Sequence, residues 1–302
     1  MKKKHFIYSA IAGVLFSAIL YTWTLPQSYY QEISIKFSAS NSPLVEVEIE
    51  GSLYPIAIDL GSKFQLTLNQ KAMPHIHQKK SQGTVTWKDF RGKSYEAPSF
   101  IIPKITIDTL VLTDVVAKEE RKDFLSNVTL WENSQDSNTI TNEKLGALGR
   151  PLLERFNLLL DFGNSRIIAS NSLQKLKKAG FHLDKMVKMP LEEGRGIIIS
   201  VNTDLGVKKF DIDTGATINY IRASLLKNMK CDSGQYGMDT FTTSKFVMNE
   251  KDFGAVTLNL LDITPELTEM DGCLGMSFLK NHIVYIDYQN KYLYIGENQF
   301  EE

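Results

Sequence analysis

A chain of 302 residues has room for two domains of roughly 100–150 residues each. Its 43% hydrophobic and 10% aromatic content excludes wholesale disorder, because that much apolar surface can offset the entropy lost on ordering. Lys and Arg number 34 against 35 Asp and Glu, for a net charge of −1, and the basic pairs Lys79-Lys80, Lys177-Lys178 and Lys208-Lys209 are scattered, so no nucleic-acid partner is expected.

At the N-terminus, Lys2, Lys3 and Lys4 precede an uncharged run over residues 6–25, ended by Pro26. About 20 such residues at 1.5 Å each span a bilayer core of about 30 Å. A cleaved signal segment has a shorter apolar core and small residues at the cut, and no small-x-small pair follows here. Residues 1–26 therefore read as an N-terminal membrane anchor, with a signal segment as the alternative. The lysines are expected to stay cytoplasmic, which makes a single-pass protein with its body on the extracytoplasmic side.

The body from Gln27 reads mostly as β-structure, beginning with the alternation Val45-Glu46-Val47-Glu48-Ile49. An apolar run, Ile56-Ala57-Ile58, leads into Asp59-Leu60-Gly61-Ser62. His75 and His77 could share one face of a strand, but with no third ligand near them no metal site is expected. Residues 84–100, with a turn near Arg91-Gly92, form a candidate hairpin. Residues 117–144 are polar and charged and read as a surface insertion or a loop beside a cleft. Residues 172–179 read as a short helix, capped by Ser172 and stopped by Gly180. Asp213-Thr214-Gly215-Ala216 follows the run Phe210-Asp211-Ile212. Cys231 and Cys273 make no disulfide framework, and Cys273, in an apolar tripeptide, reads as a buried thiol.

These pieces form an internal repeat. Residues 59–66 align with 213–220, and Gly146-Ala147-Leu148-Gly149 aligns with Gly272-Cys273-Leu274-Gly275. From Gly149 to Asp161 is 12 positions, and from Gly275 to Asp287 is again 12. The halves differ between the two motifs, at 90 positions in the first and 62 in the second. In each half an aspartate ends a strand and a glycine two residues later permits a tight turn and close backbone approach. Two such loops facing each other bring two carboxylates to one place, where they share a proton. One carboxylate can then activate water as general base while the other, protonated, polarises a carbonyl, with no metal and no cofactor.

The paired motifs resemble the aspartic peptidases of the pepsin-like and retropepsin-like group. That resemblance rests on Asp213-Thr214-Gly215-Ala216 and on the later signatures Ala147-Leu148-Gly149 and Cys273-Leu274-Gly275, over roughly residues 44–296. It implies a mostly β fold of two related retropepsin-like β-barrel lobes with a cleft between them, and the transmembrane helix read from the apolar run precedes them. The expected lobes are 27–171 and 196–302, joined by 172–195. It implies Asp59 and Asp213 as the catalytic pair, supported by Gly61, Ser62, Thr214, Gly215 and Ala216, with Trp87 or Tyr95 on a flap. The substrate would be a peptide or protein, and dimerisation would not be required. Family members carry Thr where this chain has Leu60, so of the two cross-loop hydroxyls only that of Thr214 remains. Ser62 could bond its own aspartate, whereas Ala216 cannot. Asp211 stands where an apolar residue is expected: it lies at a strand end in water, or it raises the pair's pKa by like charge.

Two other readings compete. Residues 57–62 resemble the first phosphate loop of the actin-like ATPases, but such folds need long helices between strands, and only one short helix is read here. A non-catalytic binding or scaffold module on the same fold is the other, with Leu60 in its favour.

The lysine cluster before the apolar run makes a testable orientation. Protease added to intact cells or spheroplasts should digest the body and spare the N-terminal lysines. A body protected from outside would contradict it.

Overall fold

The computed structural model describes residues 28–89, 92–120, 144–192, 194, 196–227, 229, 231–234, 237–263 and 269–298. The expected anchor and most of the 117–144 segment lie outside these residues. No helix among the described residues is long and apolar enough to cross a membrane.

The alternating run becomes strand Pro43–Ile49, with Val45, Val47 and Ile49 buried and Glu46 and Glu48 outward. It turns into strand Ser52–Asp59 through Glu50-Gly51, both at positive φ (52° and 80°). Two left-handed residues make a type I′ turn, whose twist matches that of the flanking strands. Asp59 thus lies at the end of a strand whose register is set by the turn at Glu50-Gly51.

Around this hairpin an eight-stranded sheet runs in the order Lys36–Phe37, Pro43–Ile49, Ser52–Asp59, Gly146–Gly149, Leu66–Asn69, Leu110–Glu120, Ser94–Ile107 and Lys80–Lys88. The second half builds a nine-stranded sheet, in the order Asp232–Ser233, Asp239–Thr243, Val256–Leu261, Tyr220–Arg222, Gly272–Leu274, Gly206–Ile212, Ile198–Thr203, Phe246–Met248 and Lys251–Asp252. Read from opposite ends, seven consecutive strands correspond. Their senses correspond too: Ser52–Asp59 is parallel to Gly146–Gly149 as Gly206–Ile212 is to Gly272–Leu274. Likewise Leu66–Asn69 is parallel to Leu110–Glu120 as Tyr220–Arg222 is to Val256–Leu261. The repeat legible in two short motifs therefore extends over most of each half.

A six-stranded antiparallel sheet takes strands from both halves, in the order Tyr30–Ser34, Arg166–Ser170, Leu158–Asp161, His282–Asp287, Tyr292–Glu297 and Val187–Pro190. Its central pair, Leu158–Asp161 against His282–Asp287, joins the two repeats. The aspartates matched by spacing end these strands in the same way. Asp161 accepts from the Asn164 side chain at 2.9 Å and Asp287 from that of Asn290 at 2.8 Å, so each carboxylate closes its own turn. Asp161, fully buried, also pairs with Arg166 at 2.7 Å.

Local signals elsewhere hold with small shifts. The helix spans Leu173–Lys178, Ser172 accepts from the Lys175 N–H, and Gly180 at φ 93° ends it. Residues 117–120 of the expected 117–144 loop instead complete strand Leu110–Glu120, where Lys118 and Glu120 are buried. His75 ends a 3-10 turn over Met73–His75, and His77 follows it outside any strand, so the two share no strand face. Cys231 and Cys273 are both free, and Cys273 is buried as expected.

The seam between repeats depends on Asn157, which is buried. Its side-chain amide donates to Asp287 at 2.8 Å and to the Tyr285 hydroxyl at 3.2 Å, and its carbonyl accepts from the Gln289 N–H at 3.2 Å. Asn157→Leu should strand those groups and cost about 1–3 kcal/mol. Calorimetric melting would register this as a lowered thermal midpoint; an unchanged midpoint would contradict it.

Candidate active site

Strands Ser52–Asp59 and Gly206–Ile212 each run alongside the short strand carrying the glycine-ended apolar motif, and each delivers an aspartate to the loop beyond. The two loops are built alike. In each, the fourth residue closes a turn onto the aspartate carbonyl: Ser62 N–H to Asp59 at 3.2 Å, Ala216 N–H to Asp213 at 3.3 Å. In each, the residue after the motif glycine bonds back to the loop, Arg150 N–H to Ser62 at 3.1 Å and Met276 N–H to Ala216 at 2.8 Å. A side chain at Gly149 or Gly275 would overlap the loop's backbone carbonyls, which is why the apolar pair must end in glycine.

The loops interlock. Gly61 N–H donates to the Asp213 carboxylate at 3.0 Å, and Gly215 N–H donates to the same oxygen at 2.7 Å. A methyl on Gly61 would overlap the Asp213 carboxylate, and one on Gly215 would overlap that of Asp59. Each glycine is thus the surface against which the other loop's carboxylate rests. The Thr214 hydroxyl donates to the Ile58 carbonyl at 2.7 Å and accepts from the Leu60 N–H at 3.0 Å. The reciprocal bonds are absent because Leu60 has no hydroxyl; its side chain is fully buried in the main hydrophobic core. Ser62 holds Asp59 through its backbone, N–H to carboxylate at 2.9 Å, while its hydroxyl accepts from the Phe64 N–H at 3.3 Å.

Burial drives the Asp213 carboxyl well above the ordinary carboxylate range, and the negative charges of Asp59 and Asp211 add to it. Two N–H donors oppose this without cancelling it. Of the two alternatives for Asp211, the strand end in water is ruled out: the residue is 8% exposed and accepts from the Ile197 N–H at 2.7 Å. Opposite it in register lies Cys273, which burial pushes well up and which bonds the Tyr220 hydroxyl.

The expected flap region is a hairpin of strands Lys80–Lys88 and Ser94–Ile107, its turn closed by Asp89 N–H to Lys93 at 3.0 Å. Trp87 and Tyr95 are cross-strand partners, their rings stacked at 5.7 Å and 22°. Both are buried, and Phe64, five residues after Asp59, packs edge-on against Trp87 at 5.3 Å. The hairpin is therefore tied to the loop that carries Asp59.

Three participants escaped the sequence reading. Lys118, 3% exposed, sets its ammonium 4.1 Å from the Trp87 ring centroid and 4.7 Å from that of Phe64. Burial brings its pKa down to about 8 against the opposing pull of Glu120 and Asp59. Within the run Lys118-Glu119-Glu120 nothing distinguishes it from a solvated lysine. Gln65 and Asn219 occupy matching positions, six after each aspartate: Gln65 accepts from the Val116 N–H at 3.0 Å and Asn219 from the Gly275 N–H at 3.0 Å. Their shared offset in the repeat was the available signal.

Thr214→Val keeps the shape of the side chain and removes both cross-loop bonds. Leaving the buried Leu60 N–H and Ile58 carbonyl unpaired should cost about 1–3 kcal/mol for each group. Chemical denaturation should show that loss with little change in the slope of the transition. Unaltered stability would mean that the loops are held by other contacts.

No protein-family profile matches the sequence, and no curated protein matches it. Among solved structures, the chain is similar to the aspartic proteinase from Irpex lacteus, with a TM-score of 0.63 at 11% identity over 90% of this chain and 98% of that one. At that identity the likeness is one of fold: this chain has the pepsin-like aspartic proteinase fold.

Proposed function

We propose that this chain is an aspartic-type endopeptidase in which Asp59 and Asp213 activate one water, anchored to the membrane by residues 6–25 with its body outside the cytoplasm. The observation that carries this reading is the reciprocal seating of two aspartate loops, each carboxylate against the other loop's glycine. Asp213, pushed upward by burial and by Asp59, is the protonated member of the pair. Asp59 takes a proton from the water as its oxygen attacks the peptide carbonyl carbon. Asp213 gives its proton to the carbonyl oxygen, which forms a neutral gem-diol. On collapse the C–N bond breaks, the amine takes the proton held by Asp59, and a diol hydroxyl returns one to Asp213. Backbone N–H donors at Gly61, Gly215 and Ser62 fix both carboxylates during these transfers. Both loops lie in one chain, so the site needs no second copy, and the substrate is a peptide or protein.

Leu60 favours a second reading, in which the fold serves as a binding module, since its burial replaces half of the cross-loop bonding. The two readings separate on turnover. Asp59→Asn and Asp213→Asn should each lower hydrolysis of a mixed peptide library by about 10²–10⁴-fold or more, because each removes one member of an acid–base pair. The double variant should be little worse than either single one. Substantial hydrolysis by a single variant would overturn the shared mechanism. No hydrolysis by the wild type between pH 3 and 8 would favour the binding module.

A further inference from the structure

Asp211 is not used by the mechanism above, yet it stands in the site's framework. It sits two residues before Asp213, at the alternation that shares its face, and pairs with Ile198 on one side, the last pair of that ladder, and with Cys273 on the other. A methyl on Gly196 would overlap its carboxylate, so the chain at Gly196 packs directly onto it. The Ile197 N–H donates to it at 2.7 Å, and the Ile212 N–H also favours its charged form. A carboxylate in this place needs a reason, because its neighbours Phe210 and Ile212 are fully buried apolar residues of the core. A backbone N–H partner makes the position tolerable for an aspartate; it does not explain why one is there.

We propose that Asp211 is a positioning residue of the Asp59–Asp213 pair, a third carboxyl that keeps the pair's shared proton in place as the pH rises toward neutral. This rests on the peptidase reading of the pair. The groups facing Asp211 are of both signs. Arg150, following Gly149 in the first repeat, favours its charged form, and Asp59 opposes it. Asp213, Tyr220, Cys273 and Tyr288 all feel its negative charge. Burial, against those donors, raises Asp211 itself to about 6. The sign follows. Below about pH 6 Asp211 is neutral and exerts little effect on the pair. Above it, Asp211 is charged, and a second negative charge beside Asp213 makes loss of the shared proton harder. Asp211 should therefore move the alkaline limb of activity upward and leave the acid limb, set by the first ionisation, where it is. On the Asp59 side the buried Lys118 ammonium lies within electrostatic range of that carboxylate.

Asp211→Asn tests this, because the amide oxygen can still accept from Ile197 while the charge is gone. With the full-length protein in detergent micelles, the variant's alkaline limb in kcat/KM should fall by about one pH unit, an approximately tenfold loss on that limb, with the acid limb unmoved. A purely structural role would lower activity equally at all pH, and that result, or an unmoved alkaline limb, overturns the proposal. Carbon-13 NMR of the aspartate carboxyls in the wild type reads the same coupling without turnover. The Asp213 signal should carry an inflection where Asp211 titrates, and should lose it in the variant. Absence of that inflection overturns the proposal even if peptides are cleaved. Its presence in a protein that cleaves nothing sustains the electrostatic coupling and sinks the peptidase reading instead.

Discussion

Everything at the centre of this molecule depends on two loops that fit only by being wedged into each other. Glycine at positions 61 and 215 leaves the space that the opposite carboxylate occupies, and the Thr214 hydroxyl bridges to the backbone on either side of Asp59. Such a contact cannot be made by one repeat alone. The two sheets must arrive with their strand ends at the same height, and the parallel pairing of each aspartate strand with its glycine-ended neighbour sets that height in both repeats. The six-stranded sheet then fixes the repeats relative to each other through Asn157, Tyr285 and Asp287, at a distance in sequence from the carboxylates.

The repeats are alike in framework and unlike in charge. The backbone-to-backbone bonds of the two loops follow one pattern, yet only the second loop carries a cross-bridging hydroxyl, only the first has a serine after its glycine, and the acidic neighbour Asp211 belongs to the second alone. Lys118 stands on the first side, enclosed by Phe64 and Trp87. In a symmetric pair the proton would have no preferred carboxyl. Burial and like charge raise Asp213, and the proposed reaction therefore uses it as the protonated member.

Much of this was legible in the sequence because repetition leaves a trace in spacing. Asp-x-Gly twice, an apolar pair ending in glycine twice, and an aspartate 12 positions beyond each are constraints that substitution cannot relax without steric overlap or a lost turn. The hairpin carrying Trp87 and Tyr95 was readable from its turn glycine, and the Ser172 cap from its hydroxyl. What stayed hidden was burial of charge. Asp211 could have faced water or the core, and only the approach of Gly196 and Ile197, 14 or more residues away, decides it. Lys118 resembles part of a polar insertion in sequence, because the rings that enclose it come from a loop and a strand far from it in the chain. Leu60, which from the sequence offers packing in place of a hydroxyl, is fully buried.

The central claim is that both carboxylates act on one oxygen. It is tested most directly by a crystal structure of the protein with a peptide mimic bearing a tetrahedral hydroxyl in place of the scissile carbonyl. The account predicts that hydroxyl about 2.6–3.2 Å from a carboxyl oxygen of each of Asp59 and Asp213. The peptide should lie between the interlocked loops and the hairpin that carries Trp87. A mimic that bonds only one aspartate, or that settles elsewhere on the surface, would contradict it.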